Sequence, residues 1–524
     1  MKRMFLLGDE ALAQGALDAG ISGAYAYPGT PSTEILEYIQ KVAPKSIHSR
    51  WSTNEKTALE AALGMSYSGK RALVSMKHVG LNVAADPFVN AAIAGANGGL
   101  LVAVADDPSM HSSQNEQDSR FYADFAGIPC LEPSDPQEAY DAASYGFDLS
   151  ESYHIPVLVR LVTRTAHSRA LVLPGQSRRE NELRPPKNGS EYVLLPVNAR
   201  QQYKRLMNLQ NELTVVSEAS PFNRLFEGAD RSLGIIAAGL GYSYVRELFP
   251  DEIRYPLLKV SQYPLPRKLV AEILDECDDI LVVEDGYPFI ETRLRGLLSD
   301  PRVHGRLDGT LPRTGELTPE SVAAALGIKI KPAFTTPELV VPRPPALCPG
   351  CPHADTFRAL TAALADRGRV FSDIGCYTLG ALPPYEILDT SIEMGASIGM
   401  AKGAADSGLR PAVAVIGDST FTHSGMTGLL DCVYESTPIT VVILDNLTVG
   451  MTGGQPSQAT NRLEEICRGI GVDSEHIRVI TPIPTNHDEN VRVLKEEIDY
   501  SGVSVVIARR ECVRTAARRA RRAK

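Results

Sequence analysis

Asp418 and Asn446 each follow a run of strand-forming apolar residues, "AVAVIG" before the first and "TVVILD" before the second. The interval between them is long enough for a helix joining two parallel strands. In an open α/β sheet, ligands gather beyond the carboxyl ends of the strands. Two oxygen donors from neighbouring strand ends, with a backbone carbonyl near Thr448, suit Mg²⁺, which takes hard oxygens and shares them with a substrate diphosphate. Gly417, Gly453 and Gly454 let backbone approach phosphate oxygens closely. Asp and Asn at such positions also serve as plain turn and capping residues.

The cysteines form a second constellation. Cys348 and Cys351 make a C-P-G-C loop ahead of a helical pattern, Cys376 lies in "DIGCYTLG", and Cys512 closes the strand "VSVVIARREC". Two plus one plus one thiolates can hold a [4Fe–4S] cluster, which needs four. Zinc fits the same spacing, with His353 available as a substitute ligand. Cys130, Cys277, Cys432 and Cys467 sit inside helical or strand patterns and read as buried small hydrophobes.

The elements that must position these residues follow from the pattern of apolar runs. The chain has 524 residues, 44% hydrophobic and 22% charged, with a net charge of -10. At about 150 residues per domain this suggests three domains. The negative balance gives no general attraction to nucleic acid or to a membrane surface. No apolar stretch approaches the ~20 residues of a membrane helix, and "MKRMFLLGDE" is too short in apolar residues for a signal peptide. A cytoplasmic protein is expected. Eight cysteines in a chain this long are not a secreted disulfide framework.

Near-continuous strands alternate with helical patterns, so the fold class is α/β, with three successive units and mainly parallel sheets. The first covers residues 1–175, with "MFLLGD", "GAYAYPGT", "RALVSMKH", "LLVAVADD" and "IPVLVRLV" as strands. The polar stretch "LPGQSRRENELRPPKNGSEY" reads as a linker. The second unit covers 193–335, and a proline-rich joint leads to the third at 345–512. Residues 513–524 are a basic tail, either a frayed helix or a surface for an anionic partner.

The segments "AYPGTPSTEI", "STNEKTALEAALG", "SMKHVGLNVAADP", "MHSSQNEQDSR", "CPGCPH", "DIGCYTLG", "GDSTFTHSG" and "LDNLTVGMTGGQ" occur in order along the chain. Together they resemble the 2-oxoacid:ferredoxin oxidoreductase family, and within it the indolepyruvate ferredoxin oxidoreductase alpha subunits. The resemblance implies a thiamine-diphosphate-binding fold: a pyrimidine-binding domain at 1–175, a transketolase C-terminal-like domain at 193–335 and a diphosphate- and Mg²⁺-binding domain at 345–512. It implies Asp418, Asn446 and the Thr448 carbonyl as Mg²⁺ ligands, with Ser419 and the turn at 451–455 flanking the diphosphate. It also decides the cysteine set in favour of a [4Fe–4S] cluster on Cys348, Cys351, Cys376 and Cys512.

Thiamine chemistry further needs a carboxyl group on the aminopyrimidine, in an apolar pocket where it can hold a proton. Glu55, in the first turn of an alanine-rich helix, is the candidate; a first-turn Glu near Thr53 is also a plain helix-dipole partner. By the same resemblance Thr30 stands near the substrate carboxylate, although it equally suits a cap before the helix starting at Pro31. Lys77, His78, His111 and Arg120 are further carboxylate-binding or proton-relay candidates.

The implied activity is oxidative decarboxylation of a 2-oxoacid, indolepyruvate or another aryl pyruvate, to an acyl-CoA. Electrons would leave through the cluster to ferredoxin, under anaerobic conditions. The implied partners are a small beta subunit, in an α₂β₂ assembly, and a ferredoxin-type carrier. The family's alpha subunits continue into a module with two C-x₂-C-x₂-C-x₃-C sets. The sequence at hand ends at Lys524 with the basic tail, so a separate acidic ferredoxin is the expected acceptor. The alternatives are a non-redox thiamine-dependent decarboxylase or carboligase with structural zinc, and a non-enzymatic scaffold that keeps the fold.

Overall fold

The computed structural model describes residues 3–186, 192–297, 300–330, 339–341 and 345–522. The chain divides into two compact units, Met1–Phe334 and Thr335–Lys524. The first contains a seven-stranded and a five-stranded sheet, the second a six-stranded sheet, all in an α/β arrangement. Most of the proline-rich joint lies outside the described residues.

In the first unit the large sheet runs Gln262–Tyr263, Cys130–Leu131, Val157–Val162, Leu100–Asp106, Ala72–Lys77, Gly23–Ala26, His48–Trp51. All neighbours are parallel except the edge pair, where Gln262–Tyr263 runs antiparallel to Cys130–Leu131. The central strands are fully buried because helices cover both faces. Two expectations need correction. Met4–Leu7 is not in the parallel sheet but pairs antiparallel with Arg169–Val172. The run "YPLLKVSQYPLP" splits, with Leu257–Val260 in the five-stranded sheet and Gln262–Tyr263 on the large one.

The two sheets of this unit are joined by a buried charge network. Arg120 and Arg160 are both fully buried. Arg120 donates to Asp118 at 2.5 Å and to Glu284 at 2.8 Å; Arg160 donates to Asp106 at 2.6 Å and to the Asp285 carbonyl at 3.0 Å. The Tyr263 hydroxyl donates to Glu132 at 2.7 Å. Residues before and after the polar stretch at 173–192 therefore share one desolvated set of charges.

In the six-stranded sheet of the second unit every neighbouring pair is parallel, in the order Thr390–Ser391, Arg369–Ser372, Ala412–Gly417, Thr440–Asp445, Ser504–Arg509, Ile477–Ile480. Four adjacent strands thus end on one edge. They lead, in spatial order, to Cys376, Asp418, Asn446 and Cys512. Among the described residues no helix is long and apolar enough to cross a membrane.

Candidate active site

The strand Ala412–Gly417 is buried throughout, and Asp418 opens the short helix that follows it. Asp418 is 3% exposed, and one of its carboxylate oxygens has no hydrogen-bond partner. Burial, then the nearby Asp445, push its pKa up to about 7. The Ser419 hydroxyl and one Asp445 oxygen are likewise buried without partners. Orphaned oxygens on a strand edge fit a bound cation and its diphosphate, which would supply the missing partners.

Asn446 is held from two sides. Its Oδ1 accepts the Thr448 N–H at 3.2 Å, which fixes the amide orientation. Its Nδ2 then points at His353 Nε2, 3.2 Å away. That nitrogen must accept, so His353 is neutral with its proton on Nδ1. Burial, with Arg510 nearby, lowers the His353 pKa to about 4, which agrees with a neutral ring. Thr448 pairs with Pro456, which has no N–H to give the Thr448 carbonyl. The Thr448 hydroxyl donates to the Gln455 carbonyl at 3.0 Å. Gly453 and Gly454 have φ of 124° and 96°, and close the turn in conformations that suit glycine.

Cys348, Cys351, Cys376 and Cys512 line one cavity of about 300 Å³ together with Asn446, Gly453 and Gly454. Burial and the other three thiols raise the Cys376 pKa to about 11; Cys351 is raised in the same way. The Cys512 N–H donates to the Asn446 carbonyl at 3.1 Å, and the Cys351 N–H to the Cys348 carbonyl at 3.0 Å. Among the described residues no three of these sulfurs lie within 4.8 Å of one another. His353, the substitute zinc ligand of the sequence reading, has its Nε2 taken by Asn446. Cys130, Cys277, Cys432 and Cys467 are buried away from the set.

The basic tail is an ordered helix over Val513–Arg522. Thr515 and Arg518 line the cysteine cavity, and Arg518 donates to the Gly453 carbonyl. Its first turns are therefore part of the site, not a frayed end. Composition alone could not show this, because only the turn at Gly453 supplies the acceptor.

Within the first unit, Glu55 is 4% exposed at the first position of helix Glu55–Tyr67. Asn54 caps that helix, accepting the Thr57 N–H at 2.9 Å. Gly80 lies against the carboxyl: a Cβ there would stand 2.5 Å from Glu55 Oε1. Lys77 sits alongside, its pKa lowered by burial to about 8 although Asp107 and Glu55 oppose the shift. Gly29 packs on the Lys77 stem, so the turn carrying Thr30 belongs to the same neighbourhood.

The other candidates fall elsewhere. His78 is buried, with Nε2 3.1 Å from the Asn115 carbonyl. His111 faces Glu316 at 3.3 Å and is half-exposed. Arg120 is a member of the structural charge network. Sequence reasoning missed Asp107, which accepts from Ser113 and Thr163 at 2.7 Å each and steadies Lys77. It also missed Asp373, buried below the Tyr377 hydroxyl and the Ser397 hydroxyl, with its pKa raised by burial to about 7. Both lie at strand ends, a signal that was available.

Two family models match the chain. Residues 14–212 fit "Pyruvate flavodoxin/ferredoxin oxidoreductase, thiamine diP-bdg", and residues 373–508 fit "Thiamine pyrophosphate enzyme, C-terminal TPP binding domain". The indolepyruvate oxidoreductase subunit IorA of Archaeoglobus fulgidus is 40% identical over 98% of this chain and 86% of its own length. That of Pyrococcus abyssi is 39% identical over the same shares. The chain belongs to the indolepyruvate oxidoreductase subunit IorA family. It is accordingly an oxidoreductase subunit of the thiamine-diphosphate-dependent, 2-oxoacid-oxidising kind. The family designation as a subunit implies a partner chain. A solved 2-oxoglutarate:ferredoxin oxidoreductase from Magnetococcus marinus, with 2-oxoglutarate, coenzyme A and succinyl-CoA bound, superposes with a TM-score of 0.50. It covers 62% of this chain and 65% of that one at 18% identity, a likeness of fold.

Proposed function

We propose that this chain oxidatively decarboxylates an aryl 2-oxoacid, indolepyruvate foremost, to the acyl-CoA, and passes the electrons through a [4Fe–4S] cluster to ferredoxin. The observation that carries the reading is the shared cavity: four thiols line it beside Asn446 and the glycines of the diphosphate turn. The names of the relatives point to indolepyruvate. Thiamine diphosphate, when bound, supplies the carbanion chemistry.

The chain's own residues have separable tasks. Asp418, the Asn446 side chain and the Thr448 carbonyl hold Mg²⁺, while Gly417, Ser419, Gly453 and Gly454 receive the diphosphate. Glu55 holds or gives a proton at the aminopyrimidine nitrogen, with Gly80 leaving it room. Thr30 and Lys77 orient the substrate carboxylate. Cys348, Cys351, Cys376 and Cys512 ligate the cluster. A beta subunit completes the enzyme in an α₂β₂ assembly in the cytoplasm, and the basic helix after Cys512 favours an acidic carrier.

The test is an anaerobic assay of the chain co-expressed with its beta subunit. A panel of 2-oxoacids is offered with coenzyme A and a viologen dye. Dye reduction that requires coenzyme A and favours indolepyruvate is expected. Decarboxylation without dye reduction, from protein that holds zinc and no iron, would overturn the redox reading.

A further inference from the structure

Asp9 is fully buried, and neither of its carboxylate oxygens has a hydrogen-bond partner. It is the second residue of helix Gly8–Asp18. Two other helix ends meet it. Glu34 is the second residue of helix Thr33–Val42, and His167 the last of the short helix Thr163–His167. Gly8 makes the approach possible: a Cβ there would overlap the Thr165 carbonyl oxygen, and its N–H donates to the Ser168 carbonyl at 3.0 Å.

Among the described residues this is the one group of three in which His, Cys, Asp or Glu ligand atoms all lie within 4.8 Å of one another. Glu34 Oε2, itself buried, stands 3.7 Å from His167 Nε2, a pairing that lowers the Glu34 pKa and raises that of His167. Two carboxylates thus face a single imidazole, and the fully desolvated one has no donor at all. A buried carboxylate in that state costs several kcal/mol unless it is neutralised. Burial, with Glu34 and Glu10 nearby, raises the Asp9 pKa well above the usual carboxylate range.

We propose that Asp9, Glu34 and His167 form a binding site for a first-row divalent cation, with Zn²⁺ the best match. One imidazole and two carboxylates suit zinc, whereas Mg²⁺ takes oxygen alone. Glu34 and His167 are about one-third exposed, so water can complete the coordination. Tetrahedral bonds of ~2.1 Å place ligand atoms ~3.4 Å apart. The cation would tie three helix ends together. One of those helices follows directly on the Gly29–Ser32 turn, in which the Ser32 N–H and hydroxyl donate to the Gly29 carbonyl at 2.8 and 2.7 Å. A cation here would therefore steady the turn that carries Thr30. The site does not depend on the thiamine or cluster assignments.

The full-length chain, purified anaerobically, is compared with Asp9→Asn and His167→Gln by elemental analysis after dialysis against limiting Zn²⁺. The wild type is expected to hold one more zinc per chain than either variant, with iron unchanged. Zn²⁺ should raise the melting temperature of the wild type more than that of the variants. Co²⁺ separates this site from the cysteines. At Asp9 it should give weak visible bands without thiolate charge transfer, and those bands should be absent in the variants. Should Asp9→Asn fold poorly, the part-exposed His167→Gln carries the comparison. Equal zinc in the wild type and His167→Gln, or cobalt bands of thiolate type alone, overturns the proposal.

Discussion

Asn446 Nδ2 donates to His353 Nε2 at 3.2 Å, which links the strand end of the candidate Mg²⁺ site to the helix that begins just after Cys351. Replacing His353 by Ala leaves a buried amide group unsatisfied. Such a loss costs roughly 1–3 kcal/mol. The melting temperature of His353→Ala should fall. Mg²⁺-dependent thiamine diphosphate affinity, read by calorimetry, should weaken although no proposed Mg²⁺ ligand has been removed. Unchanged affinity would separate the two sites.

The metal-free chain should lose stability as pH rises. Asp418 and Asp373 both have folded pKa values raised to about 7 from an ordinary value near 3.8. A raised folded pKa gives a contribution that is full below the unfolded value and is lost as pH climbs through the folded one. For Asp418 the span corresponds to at most about 4 kcal/mol. Thermal melts between pH 5 and 8 should show the decline. Mg²⁺ with thiamine diphosphate should restore most stability at the alkaline end. In Asp418→Asn the decline should be shallower and the restoration small.

Glu55→Gln should keep the cofactor and slow its activation. The amide has the size of the carboxyl but cannot pass the proton, and general acid–base groups contribute roughly 10²–10⁴-fold. Deuterium exchange at the thiazolium carbon measures it. Gly80→Ala should slow the same exchange by pushing the Glu55 carboxyl aside, since the new methyl would lie 2.5 Å from Oε1.

Cys512→Ser should lower iron content and abolish viologen reduction, while decarboxylation of the 2-oxoacid partly survives. Cys432→Ser and Cys467→Ser should do neither, because both thiols are buried apart from the cavity. The raised Cys376 thiol is protonated near neutrality, so metal loading must release protons. Reconstitution should therefore proceed more readily as pH rises from 6 to 8, which absorbance titration follows.

Much of the second unit was legible because its signals are local. "AVAVIGD" and "TVVILDN" announce buried parallel strands with polar ends, and the sheet sets those ends side by side. Cys376 and Cys512 follow the flanking strands, so a period-and-breaker reading already places four of the site residues on one edge. The pairing of His353 with Asn446 was not legible, since it joins residues far apart in sequence and depends on how one amide is turned. The two-residue strand Gln262–Tyr263 is too short to carry a periodic signal, and it crosses to the other sheet through register alone. Arg120 looked like a ligand because a lone Arg beside polar residues carries no mark of burial. Its acceptor Glu284 lies in another block of the chain.

The charge network around Arg120 and Arg160 sets how the first unit comes apart. Removing the acceptors of a buried ion pair typically costs 3–5 kcal/mol, and here those acceptors come from both sides of the polar stretch at 173–192. A fragment ending before that stretch would keep two desolvated guanidinium groups while losing Glu284 and the Asp285 carbonyl. It would also expose the Cys130–Leu131 edge that Tyr263 now covers. The two sheets should therefore unfold together, and amides in both should share one global opening free energy in hydrogen exchange. The polar stretch is a boundary in composition without being a boundary in cooperativity.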